Sequence, residues 1–127
     1  MPSITPAIAI DALSALAHPG RLAVFRLLVS AGPGGVAAGE VARLLDTPPN
    51  TMSTQLAILS RSGLIGSRRE SRSVIYQANY DAFSELLGFL VKDCCDGRPE
   101  VCTRLANVVR PALNCTAGPA LATGELQ

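Results

Sequence analysis

Tryptophan is missing from this chain of 127 residues, and aromatic residues make up only 4% of it. That poverty argues against a β-sandwich and favours a helical core of Leu, Ala and Val. Charge of one sign is lacking too: eleven Lys and Arg stand against ten Asp and Glu, a net +1. No apolar run approaches the roughly 20 residues that a membrane helix needs, so no membrane partner is expected. The first ten residues lack the basic start of a secretory signal, which makes the cytoplasm the expected location. Internal repeats are absent. So are Ser-His-Asp sets, paired carboxylates and phosphate-cradling loops; no enzyme and no catalytic cofactor are expected. What is left, at 48% hydrophobic residues, is one domain with a modest core.

The pattern is richest between Val36 and Leu64. Val41, Leu44 and Leu45 fall at i, i+3 and i+4, one stripe of a helix. Met52, Leu56 and Leu59 fall at i, i+4 and i+7 and form a second such stripe. Between them, Asp46-Thr47-Pro48-Pro49-Asn50 cannot continue a helix, because proline lacks the amide donor and restrains the residue before it. A short helix, a turn and a second helix make a helix-turn-helix. Opposite Met52, steps of roughly 100° bring Asn50, Thr54, Ala57 and Arg61 to the outer face. Thr51 and Ser53 lie on its flanks, and Gln55 sits nearer the core boundary. Short hydrogen-bonding side chains suit base edges, Asn or Gln pairing with adenine and Thr or Ala packing on a thymine methyl, so Asn50, Thr51, Ser53, Thr54 and Gln55 are expected to meet DNA. A solvated helix face rich in Ser and Thr would read the same way.

Beyond Gly63, the runs LIGSRR and SVIYQA are β-prone and flank Glu70-Ser71-Arg72, a hairpin. Arg61, Arg68, Arg69 and Arg72 stand against Glu70 between Ser60 and Tyr80, a local +3 in a chain that is otherwise balanced. Positive charge is therefore concentrated where a wing would meet DNA phosphates, and Arg61, Arg68, Arg69 and Arg72 are expected to contact them.

Upstream, Ile8 to Leu16 is expected to be a short helix. His18-Pro19 opens the next, with proline in the first turn where its missing N–H does no harm. Leu22, Phe25, Leu28 and Val29 form its core stripe. His18, the only histidine, reads as a cap or packing residue at that helix entry. Downstream, Asn79 or Asp81 opens a last helix. There Phe83, Leu86, Leu87, Leu90 and Val91 make an apolar face too wide for a small monomer to cover. Pairing of this helix and the first across a two-fold axis gives a homodimer.

Taken together, LAHPGRLAVFRLL, the helix pair, SRSGLIGSRRESRSVIYQAN and the helix after it resemble the ArsR/SmtB family of metalloregulators. The resemblance covers about Ala12 to Val91. It is carried by Ala17, Pro19, Arg21 and Leu22 as A-x-P-x-R-L, by S-x-Q-L in the second helix of the pair, and by R-x-S-R-x-V-x-Y in the hairpin. It implies a winged-helix homodimer that represses transcription and leaves DNA when an inducer binds. The fold expected is thus mainly α with a two-stranded β-hairpin: a winged helix-turn-helix, dimeric through its terminal helices. Residues 1–110 would form this domain and 111–127 a flexible tail.

All four cysteines lie after residue 93, as Cys94, Cys95, Cys102 and Cys115. In a cytosolic protein such clustering points to metal or redox chemistry more than to structural disulfides. On an unbroken helix Cys94 and Cys95 diverge by about 100° and Cys102 lies about 10 Å further along. Gly97 and Pro99 are helix breakers set between them, so the chain can fold back and gather three sulfurs. Three thiolates suit a soft ion, and structural zinc takes four ligands. As(III) and Sb(III) take three sulfurs in a pyramid, and the expected inducer site is Cys94, Cys95 and Cys102, with Cys115 left open. The resemblance adds that this arrangement is similar to arsenic-responsive members whose cysteine trio ends the dimer helix. Two departures accompany it: Val36 to Glu40 lack the cysteine pair of many arsenic-responsive members, and the last helix has no histidine of the zinc- and nickel-responsive kind. The function expected is an As(III)- or Sb(III)-responsive repressor of double-stranded operator DNA carrying an inverted repeat. The alternatives are a redox or sulfide sensor of the same fold and a thiol protein that sequesters metal without binding DNA.

Overall fold

The computed structural model describes residues 4–92 and 99–113. Among them the order is α1 (Pro6–Leu16), α2 (Pro19–Ala31), β1 (Val36–Ala37), α3 (Ala38–Leu44), α4 (Pro49–Arg61), β2 (Ile65–Glu70), β3 (Ser73–Ala78), α5 (Tyr80–Val91) and α6 (Pro99–Leu113). The chain divides into two units, Met1–Leu90 and Val91–Gln127.

In the first unit, α1 starts on a Thr5 side chain that accepts from the Ile8 amide at 3.2 Å, with Pro6 in the first turn. It buries Ala9, Ala12 and Ala15, and leaves Ile8, Ile10 and Leu13 exposed. Helix α2 opens as expected: His18 Nδ1 caps it, accepting from Gly20 N at 3.0 Å and Arg21 N at 3.4 Å. Arg21 then closes the helix before it, donating Nε to the Ala15 carbonyl at 2.6 Å and Nη2 to the Ser14 carbonyl at 3.4 Å. Cations are favoured at helix C-termini for this reason, which accounts for the arginine of A-x-P-x-R-L.

The core stripe of α2 differs from the expected one. Val24, Phe25 and Leu28 are buried, whereas Leu22 is exposed and Val29 is half-buried. The orientation follows from α5: the rings of Phe25 and Phe83 meet edge to face with centroids 5.0 Å apart, and Tyr80 OH donates to the Val29 carbonyl at 3.0 Å. Leu44 of α3 is likewise exposed, and Val41 and Ala42 fill its place inside. Helix α4 follows its pattern, with Met52, Leu56 and Leu59 in the core. At about 1.5–3 kcal/mol for each fully buried side chain, these three dominate the seating of α4.

The hairpin is present with a two-residue tip, Glu70 pairing with Ser73 and Ser71 at φ +56°. It is not two-stranded: β1 adds to it antiparallel, Val36 opposite Tyr76, in the order β1-β3-β2. Gly35 makes that approach feasible. It sits at φ +77°, and a Cβ there would lie 2.6 Å from the Tyr76 carbonyl oxygen. Asn79 closes the base of the hairpin, donating Nδ2 to the Gly63 carbonyl at 3.1 Å and accepting from the Ala82 amide at 3.1 Å as the cap of α5.

In the second unit, α6 was not anticipated, and the boundary expected at residue 110 falls inside it. Pro99 occupies its first turn, with Glu100 beside it and Arg110 in the last. Val108 and Val109 on this helix are exposed, at 72% and 42%. No single helix among the described residues is long and apolar enough to cross a membrane.

Candidate nucleic-acid interface

Helices α3 and α4 are joined by a turn that the local sequence forces. Asp46 adopts φ +50°, Thr47 N donates to the Ala42 carbonyl at 2.9 Å, and Pro48 then holds the chain extended. The first intrahelical bond of α4 is Met52 N to the Pro48 carbonyl at 2.9 Å. No side chain caps this helix, so the amides of Asn50 and Thr51 remain free to meet water or an anion.

Outward from α4 stand Asn50, Thr51, Ser53, Thr54, Ala57 and Arg61, all exposed. Thr54 Oγ1 donates to the Asn50 carbonyl at 3.3 Å, which leaves the hydroxyl oxygen free to accept. Gln55 does not join this surface. It is 8% exposed, packed so closely on the start of α2 that a Cβ at Gly20 would collide with its side-chain amide. Gln55 was expected to meet DNA from the edge of the core; glycine at position 20 leaves the room that draws it inside.

The wing divides its arginines. Arg69 and Arg72 are exposed, and among the described residues no ion pair holds either of them or Arg61. Arg68 is half-buried and occupied. Its Nε donates to Glu70 Oε2 at 2.6 Å, its Nη1 to Gln77 Oε1 at 3.2 Å, and its Nη2 to the Gly34 carbonyl at 2.6 Å. Arg68 therefore differs from the other arginines expected to meet phosphate: four of its five N–H groups are engaged within the protein. Arg43 of α3 is paired too, with Nε donating to Glu40 Oε1 at 2.9 Å. That bond holds the Glu40 carboxyl below its ordinary range.

Of the thiols expected to hold an inducer, Cys94, Cys95 and Cys102, only Cys102 falls on a described element. Cys94, Cys95 and Cys115 lie outside the described residues, and Cys102 is the fourth residue of α6. Among the described residues no three His, Cys, Asp or Glu side chains are grouped to hold a metal ion.

A polar, uncapped helix set beside a three-stranded wing with free arginines at its tip defines a winged helix-turn-helix DNA-binding protein. A family described as a helix-turn-helix domain matches residues 16–68. The biofilm growth-associated repressor of Agrobacterium fabrum is 32% identical over 83 residues, which is 65% of this chain and 68% of that protein. The HTH-type transcriptional regulator YgaV of Escherichia coli is 30% identical over 83 residues, 65% of this chain and 82% of its own. Among solved structures, the homodimeric winged helix-turn-helix domain Mb0332 of Mycobacterium bovis, described as a possible ArsR-family regulator, is similar with a TM-score of 0.56. It shares 26% identity over 73% of this chain and 91% of that one. The chain belongs to the ArsR family of winged helix-turn-helix transcriptional regulators.

Proposed function

We propose that this regulator is a homodimeric repressor that holds an inverted-repeat operator and releases it when As(III) or Sb(III) is captured by Cys94, Cys95 and Cys102. The observation that carries the reading is the spacing Cys94-Cys95 and Cys102 with Gly97 and Pro99 between, starting three residues past Val91. Three sulfurs without a fourth ligand match the pyramidal demand of a trivalent arsenic or antimony centre. Capture balances without a redox step: three S–As bonds replace three As–OH bonds of arsenous acid, and each thiol proton leaves with a hydroxyl as water.

Support for the dimer comes from Leu87, Leu90 and Val91 on α5 and from Ile8, Ile10 and Leu13 on α1. All six are exposed, Ile10 at 62%, and the relative from Mycobacterium bovis is homodimeric. Two recognition helices held about one DNA turn apart read two half-sites. Cys94 and Cys95 come just after α5 in the sequence, so drawing them around an ion acts on the helix that sets that spacing. Moving the population from 99% bound-competent to 1% takes about 5.5 kcal/mol of preference for the other arrangement.

Arg69 and Arg72 neutralise phosphate in this reading, Arg61 extends that contact, and Asn50, Thr51, Ser53 and Thr54 face the bases. The test is fluorescence anisotropy of a labelled duplex, selected by the wild-type protein from a random pool, titrated with sodium arsenite. A phosphine reductant keeps the thiols reduced without competing for arsenic as a dithiol would. Release at stoichiometric arsenite supports the reading. Release only when an oxidant replaces both reductant and arsenite overturns it in favour of a disulfide switch.

A further inference from the structure

Arg68 has an arrangement that phosphate binding does not explain. It lies on β2 opposite Ile75 of β3, yet its guanidinium reaches residues 34 and 35 positions earlier in the chain. Nη2 donates to the Gly34 carbonyl at 2.6 Å and Nη1 to the Pro33 carbonyl at 3.4 Å, while Gln77 Oε1 and Glu70 Oε2 accept on the wing itself. In a sheet ordered β1-β3-β2, this one side chain spans from the outer strand of the wing to the loop that feeds the strand on the far edge.

That loop is itself fixed. Gly35 N donates to the Gly32 carbonyl at 3.1 Å, and the close approach of Gly35 to Tyr76 leads directly into β1. A free two-stranded ribbon is at best marginally stable in water. Tied along the middle of β3 by β1 and across its width by Arg68, the ribbon becomes an arm of defined direction relative to α2. Successive strand residues face opposite sides, so Arg69 next door and Arg72 at the tip stay clear of the clamp and keep their charge outward.

We infer that Arg68 is a positioning residue: it locks the wing to the α2–β1 loop, so that Arg69 and Arg72 meet DNA already in place. Preorganisation of this kind raises affinity by removing an ordering cost. Lysine cannot replace it, because an ammonium is a point donor and the four acceptors here require a planar fork. The inference rests on the reading that the wing touches DNA.

The experiment measures binding to the selected duplex across a salt series, together with amide hydrogen exchange of the DNA-free protein. R68A and R68K should both bind about tenfold more weakly, with exchange of residues 69–74 faster by about the same factor and that of α4 unchanged. The slope of log affinity against log salt should stay at the wild-type value in both, whereas R69A and R72A should each lower it by about 0.9. A slope that falls in R68A and returns in R68K would make Arg68 a phosphate contact and overturn the inference. Wild-type exchange of the wing in both variants would overturn it as well. Should R69A and R72A change neither affinity nor slope while the exchange result holds, the DNA role of the wing fails and the clamp stands. Q77L, which removes one acceptor and no charge, gives the same exchange readout if R68A does not fold.

Discussion

Helices α1 and α4 sort their side chains in opposite ways. Helix α1 buries Ala9, Ala12 and Ala15 and turns Ile8, Ile10 and Leu13 to the outside; α4 buries Met52, Leu56 and Leu59 and turns Asn50, Thr51, Ser53 and Thr54 outward. Helix α5 goes with α1, since Leu86 is buried while Leu87, Leu90 and Val91 are exposed. A helix that spends its large apolar residues on its own core and presents short polar ones suits a polar polymer with base edges. A helix that does the reverse suits another protein surface, because exposed aliphatic side chains gain only when something apolar covers them. The two kinds of surface lie in one small unit, and they can be broken separately.

The largest effect should come from the apolar surface. Ile10→Asp combined with Leu90→Asp should convert the dimer to monomers by analytical ultracentrifugation. It should weaken operator binding by at least about a hundredfold, because two linked half-sites become two independent ones. Leu59→Ala attacks α4 from within: it should cost about 3 kcal/mol in urea unfolding and leave the sedimenting species unchanged. Thr54→Ala, on the outer face of the same helix, should leave stability and dimerisation alone and alter discrimination at one base pair by about 1–3 kcal/mol, read by competition with single-base operator variants.

Smallest of all is Glu40→Gln on α3. The hydrogen bond from Arg43 holds the Glu40 carboxyl below its ordinary value, so the pair contributes above the usual carboxylate range and loses its contribution as pH falls through the lowered value. Both side chains are open to solvent, 68% for Arg43 and 44% for Glu40, and exposed pairs are strongly screened. The urea midpoint of the variant should match wild type within error from pH 7 down to pH 3.

The sorting of α4 was legible because its apolar residues repeat cleanly and two prolines mark its start. The hairpin was legible from two β-prone runs around a short polar tip, and the His18 cap from its place before Pro19. What escaped depended on distant partners. Leu22 has the spacing of a core residue, but the edge contact between Phe25 and Phe83 turns α2 so that Val24 is buried instead. Strand β1 has two residues, too few for any period to register, and is specified by Gly35 meeting Tyr76. Gln55 is drawn inward by a glycine 35 residues away, and Arg68 by carbonyls at Pro33 and Gly34. Helix α6 was hidden by reading Pro99 only as a breaker, when a proline also serves as the first residue of a helix.

The most direct test of the account uses Cys102→Ser, because the thiol segment and the DNA-reading surface are separate stretches of chain. With the selected duplex, a phosphine reductant and an arsenite titration, the variant should bind DNA with wild-type affinity and stay bound at arsenite concentrations that release the wild type. A hydroxyl is a poor ligand for a soft ion, and two sulfurs hold As(III) less firmly than three. Release of the variant at the same arsenite concentration as wild type would contradict the three-thiolate site.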